Sequence, residues 1–206
     1  RFIKFHMKDA IPNLFAHWIS LDIIAYLRLV SGTGNTRANW LRIMNRPNRY
    51  IKREALAPFT SDISVAQLKA YYQDKDWMLE RLDRLEYDLS IMKRMSPYAA
   101  IHYLSNAMKY QDYLKDYAKE HHINEQELLD VLNAVHESSQ SCRTFAEWFT
   151  YIDTYTEELQ KQAKSPASND ANNESGVCLC TLHCAKGLEY PIVFIPDINE
   201  DNIPHA

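Results

Sequence analysis

No glycine occurs between Gly34 and Gly176, and the whole chain of 206 residues contains four. Soluble proteins average about 7% glycine. Glycine is the residue that most readily adopts the backbone of tight turns, so a long stretch without it favours helices over a sheet with many turns. The apolar share of 46% is that of a globular protein with a core. This stretch therefore predicts a helical domain.

Local patterns within the glycine-free stretch place the helices. Apolar residues from Leu79 to Met92 recur at steps of three and four, which puts them on one face of a helix. Helix-start signals occur at Ser64, Ser96, Asn124 and Thr144, the second followed by proline and the others by Gln or Glu three positions later. These signals and the periodicity predict helices over 14–30, 36–44, 64–73, 76–94, 97–108, 110–120, 125–138 and 144–163.

The last part of the chain has a different character. Residues 165–176 have almost no apolar content, so they predict a flexible connector. Two apolar runs follow, at 177–180 and 191–195, with a short polar segment between them. Strand, turn and strand is the simplest interpretation of this pattern.

The polar segment carries more chemistry than a turn needs in order to fold. It holds a hydroxyl, an imidazole, an ammonium and a carboxylate beside a glycine: Thr181, His183, Lys186, Glu189 and Gly187. We therefore treat this segment as a candidate binding site.

The sequence from Thr181 to Tyr190, TLHCAKGLEY, resembles motif V of the UvrD/Rep/PcrA-type superfamily 1 DNA helicases, whose usual form is TLHxAKGLE followed by an aromatic residue. Two further segments are similar to the same family. Residues 22–29 follow its acidic-x-x-AYLRL pattern, and residues 45–49 resemble the N-x-P-x-R element that begins its 2B subdomain. The three segments occur in the family's order.

This resemblance implies a mainly α fold, with a helical 2B-type subdomain inserted in an incomplete RecA-like α/β portion. Residues 1–34 would be the first strand and helix of motor domain 2A, and 35–164 the 2B subdomain. Residues 165–176 would be the linker, and 177–206 the returning strands of 2A with motif V.

The resemblance also implies roles for the motif V side chains. Thr181 and His183 would contact the DNA backbone, and Lys186 would offer its charge to phosphate. The carboxylate of Glu189 would accept a hydrogen bond from the ribose of ATP, and Gly187 would permit the tight chain reversal.

A basic run forms a second candidate site. Its five cations, with no acid among them, stand out in a chain of net charge -4, which as a whole does not attract nucleic acid. They could form a patch for DNA phosphates or a solvated helix end paired with acids elsewhere, and both interpretations stay open. Many relatives have a Gly-Ile-Gly turn where this chain has residues 50–52, so its backbone cannot approach phosphate as closely. The cations are Arg42, Arg46, Arg49, Lys52 and Arg53.

Several elements of ATP hydrolysis are absent from the sequence. It contains no G-x-x-x-x-G-K-[ST] loop, no paired acids to hold magnesium and no final arginine motif. We therefore expect this chain alone not to hydrolyse ATP. The full-length protein would be an ATP- and Mg²⁺-dependent DNA helicase or translocase that moves 3′ to 5′.

The sequence leaves two other functional interpretations open. The chain could instead be a helical protein-interaction module, or the equivalent part of an AddA/RecB-type helicase–nuclease, although Thr181 keeps the UvrD form where those begin motif V with isoleucine.

Its four cysteines are expected to be free thiols, without a metal. No apolar run approaches the roughly 20 residues that span a bilayer. These features predict a cytoplasmic protein whose partners are DNA and, through 2B, a repair or replication protein.

Overall fold

A computed structural model of the chain describes residues 5–7, 12–34, 36–164 and 176–196, with the backbone alone at 5–7, 162–164 and 183. The chain divides into two compact units. The helical unit is Asn13–Gln160, and the second unit is formed by Arg1–Pro12 and Lys161–Ala206. The described residues are mainly helical, which confirms the mainly α prediction, while the RecA-like α/β portion stays a prediction.

The eight helices predicted in the first 164 residues are all present. Predicted and observed ends differ by at most four residues, and the largest difference is at the start of the first helix, where a 3-10 turn, Leu14–Ala16, comes first. A second 3-10 turn is Arg53–Leu56. The helices are α1 Trp18–Ser31, α2 Thr36–Ile43, α3 Val65–Tyr71, α4 Asp76–Met92, α5 Pro97–Asn106, α6 Tyr110–His121, α7 Glu125–Ser138 and α8 Phe145–Lys164.

Side-chain caps explain where several helices begin. The Ser64 hydroxyl accepts a hydrogen bond from the Gln67 N–H at 3.3 Å, and Gln67 Oε1 accepts one from the Ser64 N–H at 2.8 Å. This reciprocal pair satisfies two backbone donors that the first turn of a helix leaves without partners. Each such cap contributes about 1 kcal/mol. Single caps are made at α5 by Ser96, at α7 by Asn124 and at α8 by Thr144.

Helix α1 lies at the centre of the helical unit. It packs against α2, α4, α5 and α7, and most of its residues from Ile19 to Val30 are buried. A helix with neighbours on several sides is apolar almost all round, which is why this segment shows little amphipathic pattern. By its contacts α1 belongs to the helical unit, while the predicted 2A and 2B boundaries, including residue 34, remain predictions.

The second unit contains a short parallel pair of strands. β1, Phe5–Met7, pairs with β2, Val177–Leu179, with Phe5 opposite Val177 and Met7 opposite Leu179. A four-residue helix, α9 Leu182–Ala185, follows β2. The predicted connector lies outside the described residues except for Gly176.

The predicted strand over 191–195 is wrong. Residues 191–196 form bends and irregular chain, and Ile192 and Phe194 are 74% and 88% exposed. An apolar run becomes a strand only where a neighbouring strand accepts and donates the ladder hydrogen bonds. In the described part of the chain the sheet has two strands, and neither pairs with this run.

Two partly buried histidines make the stability of the helical unit depend on pH. His17 caps α1 by accepting a hydrogen bond from the Ile19 N–H at 3.3 Å, and His136 stacks on Tyr98 with ring centroids 3.9 Å apart. Burial lowers the pKa of both histidines from 6.5, although Asp22 opposes the shift at His17 and the Tyr98 carbonyl opposes it at His136.

The unfolded chain therefore binds protons more readily than the native state below pH 6.5, so stability is lost as the pH falls through that region. We expect a lower urea midpoint at pH 5.5 than at pH 7.5, and a smaller difference in His136→Gln. Equal differences in the variant and the wild type would contradict the role of His136.

Candidate functional site

The backbone of the motif V segment forms a capped turn. Thr181 precedes α9, its hydroxyl accepts a hydrogen bond from the Cys184 N–H at 3.3 Å, and its carbonyl accepts one from the Ala185 N–H at 3.0 Å. Gly187 has a φ of 82°, and a Cβ added there would meet no atom within 4 Å. Glycine therefore suits this position because the backbone is left-handed there, and not because neighbouring atoms would exclude a side chain.

The motif V side chains lie at the surface. Thr181, Lys186 and Glu189 are exposed, and the side chain of His183 is outside the described part of the structure. Neither Lys186 nor Glu189 forms a salt bridge with another described residue. An exposed carboxylate and an exposed ammonium are therefore available to a ligand on this turn. The predicted roles of these residues stay predictions, and so does the expectation that they serve one shared site.

Tyr190 connects the end of this turn to β2. Its hydroxyl lies 3.8 Å from the Sγ of Cys178. The hydrogen bond to Cys178, with a smaller effect of burial, raises the pKa of Tyr190 to about 12. This contact joins the residue after Glu189 to β2.

The basic run is folded around a buried acid, Asp22 of α1. Arg46 Nη1 donates to both carboxylate oxygens of Asp22, at 2.9 and 3.0 Å, and Arg42 Nε lies 3.0 Å from Oδ1, off the line of a hydrogen bond. The Tyr110 hydroxyl donates to Oδ2 at 2.9 Å. The Asp22 side chain is fully buried, and a buried charge must be paired. A single acid in this mostly apolar helix is a sequence signal from which such a network could have been expected.

The titration of this network follows from its burial. Burial raises the pKa of Asp22, while Arg46, Tyr110 and Arg42 act in the opposite direction. Burial alone would lower the pKa of Arg46, but the Asp22 carboxylate outweighs this effect and the pKa of Arg46 is raised. The pKa of Tyr110 is raised well above its usual range by burial and by Asp22. Arg46 and Tyr110 therefore stay protonated and continue to donate to the acid.

A second set of bonds holds the loop after α2 against α1. Asn45 Oδ1 accepts from the N–H groups of Arg49 and Ile51, at 3.3 and 2.9 Å. Arg49 Nη1 donates to the carbonyls of Ile43 and Pro47, and its guanidinium lies over the ring of Tyr26. The Tyr26 hydroxyl donates to the Arg46 carbonyl at 2.7 Å. The two helicase-like segments, 22–29 and 45–49, thus bind each other.

The five cations of the basic run therefore differ in their surroundings. Arg42 and Arg46 are paired with the buried Asp22, and Arg49 donates to backbone carbonyls. Lys52 and Arg53 are exposed. A DNA contact by any of the five stays a prediction. Lys52 and Arg53 are the better candidates for it, because their charges are exposed.

The described residues contain neither a metal site nor a membrane-spanning helix. No group of three or more His, Cys, Asp or Glu side chains there could hold a metal ion. None of the described helices has the length and hydropathy needed to cross a membrane. All four cysteines are free thiols in the structure.

Comparison with known proteins gives one family. The model of the UvrD-like helicase C-terminal domain matches residues 5–206. The ATP-dependent DNA helicase PcrA of Bacillus subtilis (strain 168) is 26% identical over 201 residues, which is 90% of this chain and 26% of that protein. PcrA of Staphylococcus epidermidis is 25% identical over 202 residues, covering 89% of this chain and 26% of its own length. No solved structure matches.

The chain thus spans about a quarter of the length of these relatives. The family match covers the helical unit and motif V together, and it includes the Asp22 network that joins the other two helicase-like segments. The chain belongs to the UvrD-like helicase C-terminal domain family.

Proposed function

We propose that this chain is part of an ATP-dependent DNA helicase or translocase, to which it contributes a ribose contact and contacts with DNA. The observation that carries the proposal is the motif V turn, in which Gly187 adopts the left-handed conformation and Glu189 and Lys186 are exposed. A buried structural turn would have little use for this pair of charges. The match to the family over residues 5–206 supports the same conclusion.

The proposed chemistry assigns one role to each side chain of the turn. The Glu189 carboxylate accepts hydrogen bonds only, which suits the ribose hydroxyl of ATP. Thr181 and His183 donate to phosphate oxygens of single-stranded DNA without reading its sequence, and Lys186 adds a positive charge. Because both contacts lie on one short turn, a change at the nucleotide can alter the grip on the strand.

The rest of the proposal concerns the whole protein. The full-length protein uses ATP with Mg²⁺, and it moves 3′ to 5′ along DNA. Residues 35–164 form the 2B subdomain, and the flanking segments belong to motor domain 2A. The phosphate-binding loop is absent from these residues, so we assign this chain contacts and regulation but no hydrolysis of its own.

The experiment is ATP hydrolysis by the full-length protein with and without single-stranded DNA. We expect stimulation by DNA, and in Glu189→Ala we expect the ATP concentration for half-maximal rate to rise about tenfold or more, since a hydrogen bond to a charged group contributes roughly 1.5–3 kcal/mol. Glu158→Ala, an exposed acid on α8, is the matched control and should leave the ATP dependence unchanged.

Two results would count against the proposal. A rate that does not respond to DNA would reject the helicase assignment. Unchanged ATP dependence in Glu189→Ala, with normal stimulation by DNA, would reject the ribose contact alone.

A further inference from the structure

An exposed aromatic pair on the helical unit shares one guanidinium. Tyr50 and Trp77 are 59% and 50% exposed. The Cζ of Arg81 lies 5.0 Å from the centre of the Tyr50 ring and 5.1 Å from that of the Trp77 ring. We call Tyr50, Trp77 and Arg81 the stacking platform.

The backbone presents Tyr50 to solvent at a cost. Its φ is 60°, in the left-handed region that a residue with a bulky side chain rarely adopts. Such a conformation costs on the order of 1–3 kcal/mol and persists only where the surroundings impose it. Because the ring is exposed, its burial contributes little free energy to offset this cost. Folding stability therefore does not explain why a tyrosine occupies position 50.

The turn around Tyr50 is held by hydrogen bonds on both sides. The Tyr50 N–H donates to Asn48 Oδ1 at 3.1 Å, and the Lys52 N–H donates to the Tyr72 hydroxyl at 2.6 Å. Ile51 between them is buried. Trp77 and Arg81 are four positions apart on α4, which places them on one side of that helix. Two different parts of the chain therefore support the platform.

We propose that the stacking platform binds unpaired bases of single-stranded DNA. Every base has a flat face that can stack on an aromatic ring or on a guanidinium, whatever its identity. Lys52 and Arg53 are exposed within three residues of Tyr50 and supply cations for phosphate oxygens, while the exposed acids Glu54 and Asp76 adjoin Arg53 and Trp77. The choice of DNA as the nucleic acid rests on the proposed function.

The test is equilibrium binding by the 206-residue chain at low and moderate salt. The probes are a fluorescent oligothymidine and an abasic oligomer of the same length, which has the same phosphates and no bases. Trp40 and Trp148 are buried, so quenching of tryptophan fluorescence reports mainly on Trp77 and the half-buried Trp18. We expect quenching and tight binding with oligothymidine and weaker binding of the abasic oligomer.

Three variants assign the effect to the platform. Tyr50→Ala and Trp77→Ala should each weaken binding of oligothymidine about tenfold, as loss of one base stack does. Trp77→Phe should abolish most of the quenching but keep the affinity, measured by anisotropy, within about threefold. Tyr98→Ala, an exposed ring that stacks on His136, is the matched control and should bind as the wild type does. Circular dichroism checks that every variant is folded.

Equal affinity for the two oligomers would overturn the proposal, because it would show contacts to phosphate alone. Wild-type binding by Tyr50→Ala and Trp77→Ala would also overturn it, and so would no binding of either oligomer, which would leave the platform to a protein partner. If hydrolysis of ATP by the full-length protein still responds to DNA, any of these results rejects the platform and leaves the proposed function standing.

Discussion

Replacement of Arg46 by glutamate is expected to lower the free energy of unfolding of the helical unit by about 3–5 kcal/mol, the usual effect of removing one partner of a buried ion pair. Arg46 donates two hydrogen bonds to Asp22, whose side chain is fully buried. In the variant Asp22 keeps Arg42 and Tyr110. Among the described residues, it loses the only partner that donates to both of its carboxylate oxygens. The new carboxylate must also move away from Asp22 into solvent, which the 38% exposure of this position allows. Urea unfolding followed by circular dichroism measures the change.

Lys52→Glu is the matched control for this prediction. It makes the same change of charge in the same loop at an exposed site, where substitutions usually alter stability by no more than about 0.5 kcal/mol. Similar losses in the two variants would contradict the structural role of Arg46.

The comparison of these variants also decides how a DNA-binding test of the basic run is designed. Weak DNA binding by Arg46→Glu would report a damaged fold, because the substitution breaks the Asp22 network. Lys52→Glu and Arg53→Glu change exposed charges and leave that network intact, so they test the DNA contact itself.

The second large effect is expected from Trp148→Ala, which should lower the free energy of unfolding by about 3–5 kcal/mol. Trp148 is fully buried, meets the edge of the Phe15 ring at a centroid distance of 6.2 Å, and donates from Nε1 to the Ser138 hydroxyl at 3.1 Å. Alanine would leave a cavity beside Phe15 and deprive Ser138 of its donor. Thermal and urea unfolding both measure this loss.

Trp77→Ala is the control, because it removes the same side chain from a half-exposed position on α4. We expect it to cost less than about 1 kcal/mol. A loss as large as that of Trp148→Ala would mean that the Trp77 ring is part of the folding core, and it would weaken the case that this ring serves a ligand.

The helices could be predicted from the sequence because their signals are local. The capping box of Ser64 and Gln67 and the apolar stripe of α4 each operate within a few residues, and both are found as predicted. The Gly187 turn is local in the same way, since one left-handed residue decides it. The strand over 191–195 was wrong because a strand needs a partner that the local sequence does not identify.

The sequence by itself determined the mainly α fold, the helix ends to within four residues, and the family, since periodicity, caps and short motifs are properties of neighbouring residues. Only the tertiary structure decided what the charged groups do. Arg46 and Lys52 belong to the same basic run, yet Arg46 pairs with a buried acid that lies 24 positions away and Lys52 is exposed. The energy of a charge depends on its burial and on the partners that the fold brings to it, and neither can be deduced from its place in the chain.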